Sequence, residues 1–271
     1  MSVVDARSMK TRLVAMKMLN KLVAIVVLLA ASSAHAAGMV HPVSYYDIIL
    51  KTLNIAPQWV PTVGALFVTF LMVMIGLAYS KAVAASSSVV PDGKFSLRYI
   101  VEAALDMVQG LAKDNCGTHW REHITFLAAL FFFILVSNLS GLVPGFPPPT
   151  LKMETNVAMG LFAFVVYNWA GIKEHGAGGY LKTFLGPVAF IAPLFFMIEM
   201  VSHASRPFSL GLRLAGNIFG DHTLLTVFTS LSYLVLPAAL TFFGLLVAIV
   251  QSFVFTLLTG IYISMAMSHD H

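Results

Sequence analysis

The run Ile124-Thr125-Phe126-Leu127-Ala128-Ala129-Leu130-Phe131-Phe132-Phe133-Ile134-Leu135-Val136-Ser137-Asn138-Leu139-Ser140-Gly141-Leu142-Val143 contains no charged side chain. About 20 mostly apolar residues are what an α-helix needs to cross a hydrocarbon core about 30 Å thick. A span of this kind has to be helical, because an irregular backbone facing lipid would leave polar groups unpaired. The run stops at Pro144-Gly145-Phe146-Pro147-Pro148-Pro149, where missing amides and fixed φ angles end any helix.

The pattern recurs on both sides. Upstream, Trp59 to Tyr79 reads as the first span, with Pro57, Trp59 and Pro61 at its outer end; tryptophan suits the membrane interface. Ser80 to Gly93 reads as a loop. In residues 96–113, Ile100, Leu105, Val108 and Leu111 alternate with Arg98, Glu102, Asp106 and Lys113, the spacing of an amphipathic helix lying on the membrane surface. Downstream, a third span runs from Thr155 to Ile172 and is closed by Lys173-Glu174-His175 and Gly176 to Gly179. Two apolar stretches follow, Pro187 to Val235 and, beyond Pro237, Ala238 to Met267. Both exceed the bilayer thickness and must tilt, bend or lie partly along the membrane. The expected fold is an all-α membrane protein: five transmembrane helices plus one amphipathic surface helix, the last two transmembrane helices long and tilted.

Composition agrees. The chain is 58% hydrophobic and 10% charged, with a mean hydropathy of +0.85; a soluble domain carries about 25% charged residues. Too few charges remain to cover a water-facing surface, which argues against a soluble enzyme. The formal net charge of +4 reads as loop bias rather than nucleic-acid binding. Cys116 is the only cysteine, which excludes an intramolecular disulfide framework.

Residues 1–36 have the outline of a cleaved signal peptide. Five basic side chains precede Leu22, an apolar run extends to Ala31, and Ala34-His35-Ala36 is a small-x-small cleavage pattern. An uncleaved signal anchor is the alternative, and Met16 is an alternative start. In either case residues 37–58 form an external N-terminal segment, and residues 59–271 form the membrane domain. With that end outside, the cytoplasmic segments hold Lys81, Lys94, Arg98, Lys113, Arg121, Lys173 and Lys182, against Lys51 and Lys152 outside. This fits the positive-inside rule and puts the C-terminus in the cytoplasm. No internal repeat of the transporter kind is evident.

The fourth long helix carries a polar stripe. With Arg213 at zero, Glu199 and Asn217 fall at about +40°, Arg206 at about +20°, Ser202 at about −20° and Ser209 at about −40°. An arginine near mid-bilayer costs about 2.5–3.5 kcal/mol on insertion scales, and such residues mark ion pathways or partner charges. A guanidinium stays charged in any realistic environment, so it acts as a fixed cation that relays no proton itself. Arg206, nearer the cytoplasm, either snorkels, pairs with Glu199 or takes part in function. Arg213 lies deeper and has no close acid in sequence. His222 lies about 180° around the helix from Arg213 and about 13 Å along it. It reads either as a proton-uptake group or as a hydrogen-bonded packing residue. In the last helix Gln251 is the only strongly polar side chain, and Gly244 leaves space on the same face.

The segment from Arg206-Pro207-Phe208-Ser209-Leu210-Gly211-Leu212-Arg213 to Leu214-Ala215-Gly216-Asn217 resembles the signature of subunit a of bacterial F-type ATP synthases. So do Val250-Gln251-Ser252-Phe253-Val254-Phe255 and Leu257 to Ala266, and Val136 to Phe146 is similar to an earlier motif of that family. The resemblance covers residues 41–267. It implies a stator subunit of the F0 proton channel in the inner (plasma) membrane, without catalytic activity of its own. The implied partners are the c-ring, the subunit b peripheral stalk, the lipid bilayer and, indirectly, the F1 sector; no cofactor or metal is implied. By resemblance Arg213 faces the ring and separates two half-channels. Asn217, His222 and Gln251 match positions of the external half-channel, and Glu199, Ser202 and Ser209 match positions near the cytoplasmic one. Asp221 departs from the family pattern and lines the channel or tunes His222. Some members place a histidine where this chain has Gly244, which by analogy leaves room for His222.

Two competing patterns are weaker. His119-Trp120-Arg121-Glu122-His123 fits an inverted zinc-protease motif, but it sits at the entry of a span, where polar residues are expected. No phosphate-binding G-x-x-x-x-G-K-[ST] occurs. A stand-alone ion channel or transporter remains the alternative class.

Overall fold

The computed structural model describes residues 45–46, 52, 56, 59–85, 97–143, 146–184, 192–231 and 235–268. The signal segment and most of residues 37–58 lie outside these, as does the proline turn at Pro144-Gly145. Six helices carry the described chain: α1 Val60–Ala85, α2 Leu97–Cys116, α3 Trp120–Ser140, α4 Met153–Thr183, α5 Ala192–Leu231 and α6 Val235–Met267. Among the described residues there is no strand.

Helix α3 is the axis of the bundle. Phe126, Leu127, Leu130, Phe131, Phe133 and Ile134 are all buried, on several faces of one helix, as expected of an element enclosed by its neighbours. It contacts α1, α2 and α6. Helix α1 is the opposite case: Leu66, Phe70, Met74 and Leu77 are exposed, a surface suited to lipid.

Among the described residues four helices are long and apolar enough to cross a membrane: α1, α3, α4 and α6. Helix α5 stands outside that group, and it carries Glu199, Arg206, Arg213 and Asp221. Several expected boundaries move. The first helix continues through Lys81 to Ala85, so the start of the expected loop at Ser80 is helical. The second span begins at Trp120 and ends at Ser140, turning off through short-range bonds from Gly141, Leu142 and Val143. The amphipathic helix turns its apolar face to protein: Val108, Leu111 and Ala112 are buried where α2 meets α3 and α6.

The third span differs most. Its helix breaks at Gly176, inside the expected closing run, but a second helical piece follows directly. Gly176 takes φ 70° and ψ 160°, a left-handed φ that glycine tolerates, and helix resumes beyond it. The Tyr180 hydroxyl then donates to Asn168 Oδ1 at 2.9 Å. In a straight helix these residues would lie about 18 Å apart, so the chain folds back at Gly176. Gly171 makes the space: a Cβ there would meet Tyr180 Cε2 at 2.4 Å.

Helices α4 and α5 run antiparallel in close contact. A Cβ on Gly160 would lie 2.3 Å from the Pro207 carbonyl oxygen, and one on Gly211 would lie 3.0 Å from that of Asn156. Small residues let membrane helices approach this closely. In α6 the buried hydroxyls of Ser252, Thr256 and Thr259 donate to carbonyls one turn back, at 2.7 to 2.9 Å. They are thereby satisfied within their own helix, and Gln251 stands out as the polar group that reaches elsewhere.

Candidate functional site

Helix α5 presents two surfaces. His203, Pro207, Leu210, Gly211, Leu214 and Ile218 are buried in the bundle, spaced as one face of a helix. The polar stripe lies beside this face. Ser202, Ser209, Arg213 and Asn217 are exposed, and Glu199 and Arg206 are half-buried. Two arginines two turns apart therefore meet different environments. Arg206 Nη2 lies 3.4 Å from Glu199 Oε1, and its guanidinium carbon is 5.4 Å from the Tyr262 ring centroid. Of the readings open for Arg206, pairing with Glu199 is the one observed. No ion pair reaches Arg213 among the described residues.

Behind the stripe, towards the α3–α4 connection, lies an open cavity between α3, α5 and α6. Asn138, Asn217, Asp221, His222, Gly244 and Gln251 contribute to its lining. Its water-accessible space is about 40 Å³. One ordered water needs about 10–15 Å³, so a file of about three waters fits. Asn217 Nδ2 donates to Gln251 Oε1 at 2.6 Å across α5 and α6. Gln251 is almost fully buried. Its Nε2, like Asn138 Nδ2, finds no acceptor among the described residues. Buried amide donors are normally paired, and water in this cavity would satisfy both.

The predicted residues thus separate into two groups. Asn217, Asp221, His222 and Gln251 come together on the cavity, and Gly244 borders the same space as His222. A Cβ at Gly244 would meet Leu142 Cδ2 at 3.2 Å, so a larger side chain would press on the lining. Glu199, Ser202 and Ser209 lie on the other part of α5, with Arg213 between the groups and outside the cavity lining. The helical arithmetic separated His222 from Arg213, and the cavity keeps that separation. Asn217 closes the stripe and also opens the cavity.

Two features had no counterpart in the sequence reading. Asn138 stands in the sequence only as part of the Val136-to-Phe146 motif. It is held by Thr150, whose hydroxyl donates to its Oδ1 at 2.9 Å, and Asn156 Nδ2 in turn donates to the Thr150 carbonyl at 2.7 Å. His203 gives no signal in the sequence, because it falls off the stripe. It is buried, with Nε2 2.8 Å from Asn168 Oδ1. Glu122, from the His119-to-His123 pattern, is engaged by Lys173.

Comparisons with known proteins bear on this arrangement. The sequence model of the ATP synthase A chain family matches residues 63–264. The chain is 50% identical over 185 residues to ATP synthase subunit a of Bdellovibrio bacteriovorus, covering 68% of this chain and 81% of that protein. It is 39% identical over 235 residues to subunit a of Citrifermentans bemidjiense, covering 86% of this chain and all of that protein. Subunit a 1 of Pelobacter propionicus is 36% identical over 233 residues, again across its whole length and 86% of this chain.

Proposed function

The chain belongs to the ATP synthase A chain family, and from that premise we propose how its residues divide the work of subunit a. The subunit is the stator of the F0 proton channel, coupling proton translocation to rotation and ATP synthesis. In our reading the cavity holding Asn217, Asp221, His222 and Gln251 is the inner end of the external half-channel. Glu199, Ser202 and Ser209 line the cytoplasmic one. Arg213 stands between them and faces the c-ring.

A proton enters from outside through water in the cavity. Asp221 and His222 are its titratable groups, and the Asn217–Gln251 bond fixes the wall nearest Arg213. The proton neutralises a ring carboxylate, which then turns through lipid. On return, the carboxylate releases its proton beside Ser209, Ser202 and Glu199. The bare carboxylate next passes Arg213, whose fixed positive charge favours the ionised form. The same charge stops protons from running directly between the half-channels. At about 100 mV each charge crossing supplies about 2.3 kcal/mol, so several are needed per ATP.

One observation carries this reading: Arg213 is exposed on α5 and unpaired within the described residues, whereas Arg206 is already held by Glu199 and Tyr262. A cation with no internal partner is available to a carboxylate of another chain. The subunit itself is non-catalytic in this account, and subunit b and the F1 sector are its further partners. In this reading the chain crosses five times, α5 being the fourth crossing, with the N-terminus outside and the C-terminus in the cytoplasm. Mass spectrometry of the membrane-resident chain tests cleavage after residue 36, and the mass of the unprocessed precursor distinguishes Met1 from Met16 as the start.

The test of function is ATP-driven acidification of inverted vesicles containing the assembled complex. Arg213→Ala is expected to reduce it by more than about 100-fold, as loss of about 3 kcal/mol of stabilisation would. Unimpaired pumping would sink the stator reading.

A further inference from the structure

The cytoplasmic half of α5 has its own polar centre, which the half-channel residues do not include. Asn168 Oδ1 lies 2.9 Å from the Tyr180 hydroxyl and 2.8 Å from His203 Nε2. The Asn168 Nδ2 donates to the Phe164 carbonyl at 2.7 Å, which fixes the amide so that its oxygen faces the other two groups. A carbonyl oxygen only accepts, so His203 donates from Nε2. One oxygen thus ties three pieces of chain: α4 before Gly176, the piece folded back beyond it, and α5.

The surroundings hold this centre in place. The His203 ring packs edge-on against Phe164, Tyr167 and Phe184, with centroids 5.0 to 5.2 Å away. These contacts enclose the ring. The bond to Asn168 adds a fixed direction at this point of α5, because hydrogen bonds are directional. His203 follows Ser202 directly and lies between Glu199 and Arg206, one turn from each. Any rotation of α5 at His203 therefore moves the residues assigned to the cytoplasmic half-channel.

We infer that Tyr180, Asn168 and His203 form a latch that sets the rotation of the cytoplasmic half of α5, with His203 as a positioning residue for proton release. The inference rests on the half-channel reading above. It gives the reversal at Gly176 a purpose: the folded-back segment brings Tyr180 to the shared oxygen and Phe184 to the imidazole.

The test uses the complete complex in inverted vesicles. Glutamine places an amide N–H where histidine has Nε2, whereas leucine fills similar space without a donor. His203→Leu should lower ATP-driven pumping about tenfold, while His203→Gln retains at least about half. Subunit a should stay in the complex at normal abundance in both. Labelling of Ser202→Cys by an impermeant thiol reagent from the cytoplasmic face should change several-fold with His203→Leu and not with His203→Gln. Equal pumping by the two variants, whether both intact or both impaired, would overturn the latch. If His203→Leu fails to assemble, Tyr180→Phe decides, since it removes a single oxygen. Reduced pumping with altered Ser202→Cys labelling supports the latch, and no change in either refutes it. Arg213→Ala is run alongside. If that variant pumps, the half-channel reading has failed; if it is inactive while His203→Leu is fully active, only the latch has.

Discussion

The two halves of α5 solve the same problem in opposite ways. Around His203 imidazole, amide and phenol share one oxygen inside an aromatic shell, and of the neighbouring polar groups the buried Tyr167 hydroxyl has no partner among the described residues. Around Gln251 the polar groups are left open, with two buried amide donors that have no acceptor among the described residues, beside a cavity that admits water. A membrane protein tolerates unpaired polar groups only where water or protein can reach them. On the proposed reading, the difference separates a half of the helix that holds position from a half that conducts. Arg213 lies at the junction.

The contrast can be broken at either end. In the packed half, Gly160→Val should have the largest effect, because its Cβ would overlap the Pro207 carbonyl at 2.3 Å. Overpacking of this kind costs about 1–3 kcal/mol or more, and it should appear as subunit a lost from the purified complex. In the open half the failure should be of flux with assembly intact. Gln251→Leu removes the acceptor of Asn217 and the wall of the cavity. Proton pumping should fall about tenfold at normal subunit abundance, the equivalent of one strong buried hydrogen bond. Gly244→Leu should be milder. It fills part of the cavity beside Leu142, and passive proton conductance of vesicles stripped of F1 should drop about fivefold. Arg206→Gln should be the smallest. A partly exposed ion pair contributes about 0–1 kcal/mol and a cation–π contact about 0.5–2 kcal/mol. Pumping within about threefold of the parent is expected; complete loss would place Arg206 beside Arg213 in function.

The sequence carried the membrane helices well, because hydropathy and helix period are local properties. All of the first expected span but Trp59 and the whole run from Thr155 to Ile172 fall inside observed helices, and the stripe from Glu199 to Asn217 keeps its order on α5. What it could not carry was set by distant contacts. A run with Gly176, Gly178 and Gly179 reads as the end of a span; only the Tyr180–Asn168 bond and the space at Gly171 show that the chain returns. His203 lies off the polar stripe, and one histidine among apolar neighbours gives no periodic signal. The Asn138–Thr150 bond joins residues on either side of the proline turn, where spacing says nothing about approach. The amphipathic helix was legible in period but not in partner, since Val108 and Leu111 on its apolar face are buried where it meets α3 and α6, while Ile100 stays exposed. Asn217–Gln251 lay between: each residue was singled out alone, but their contact was not.

The central claim is that one helix opens to opposite sides of the membrane on either side of Arg213. The most direct measurement is sidedness of thiol labelling in the assembled complex, using Asn217→Cys and Ser202→Cys with an impermeant reagent. The native Cys116 gives little background, being buried, with its thiol pKa pushed up to about 11 by that burial. The account predicts that Asn217→Cys reacts only from the external face and Ser202→Cys only from the cytoplasmic face. Reaction of both from the same face would contradict it.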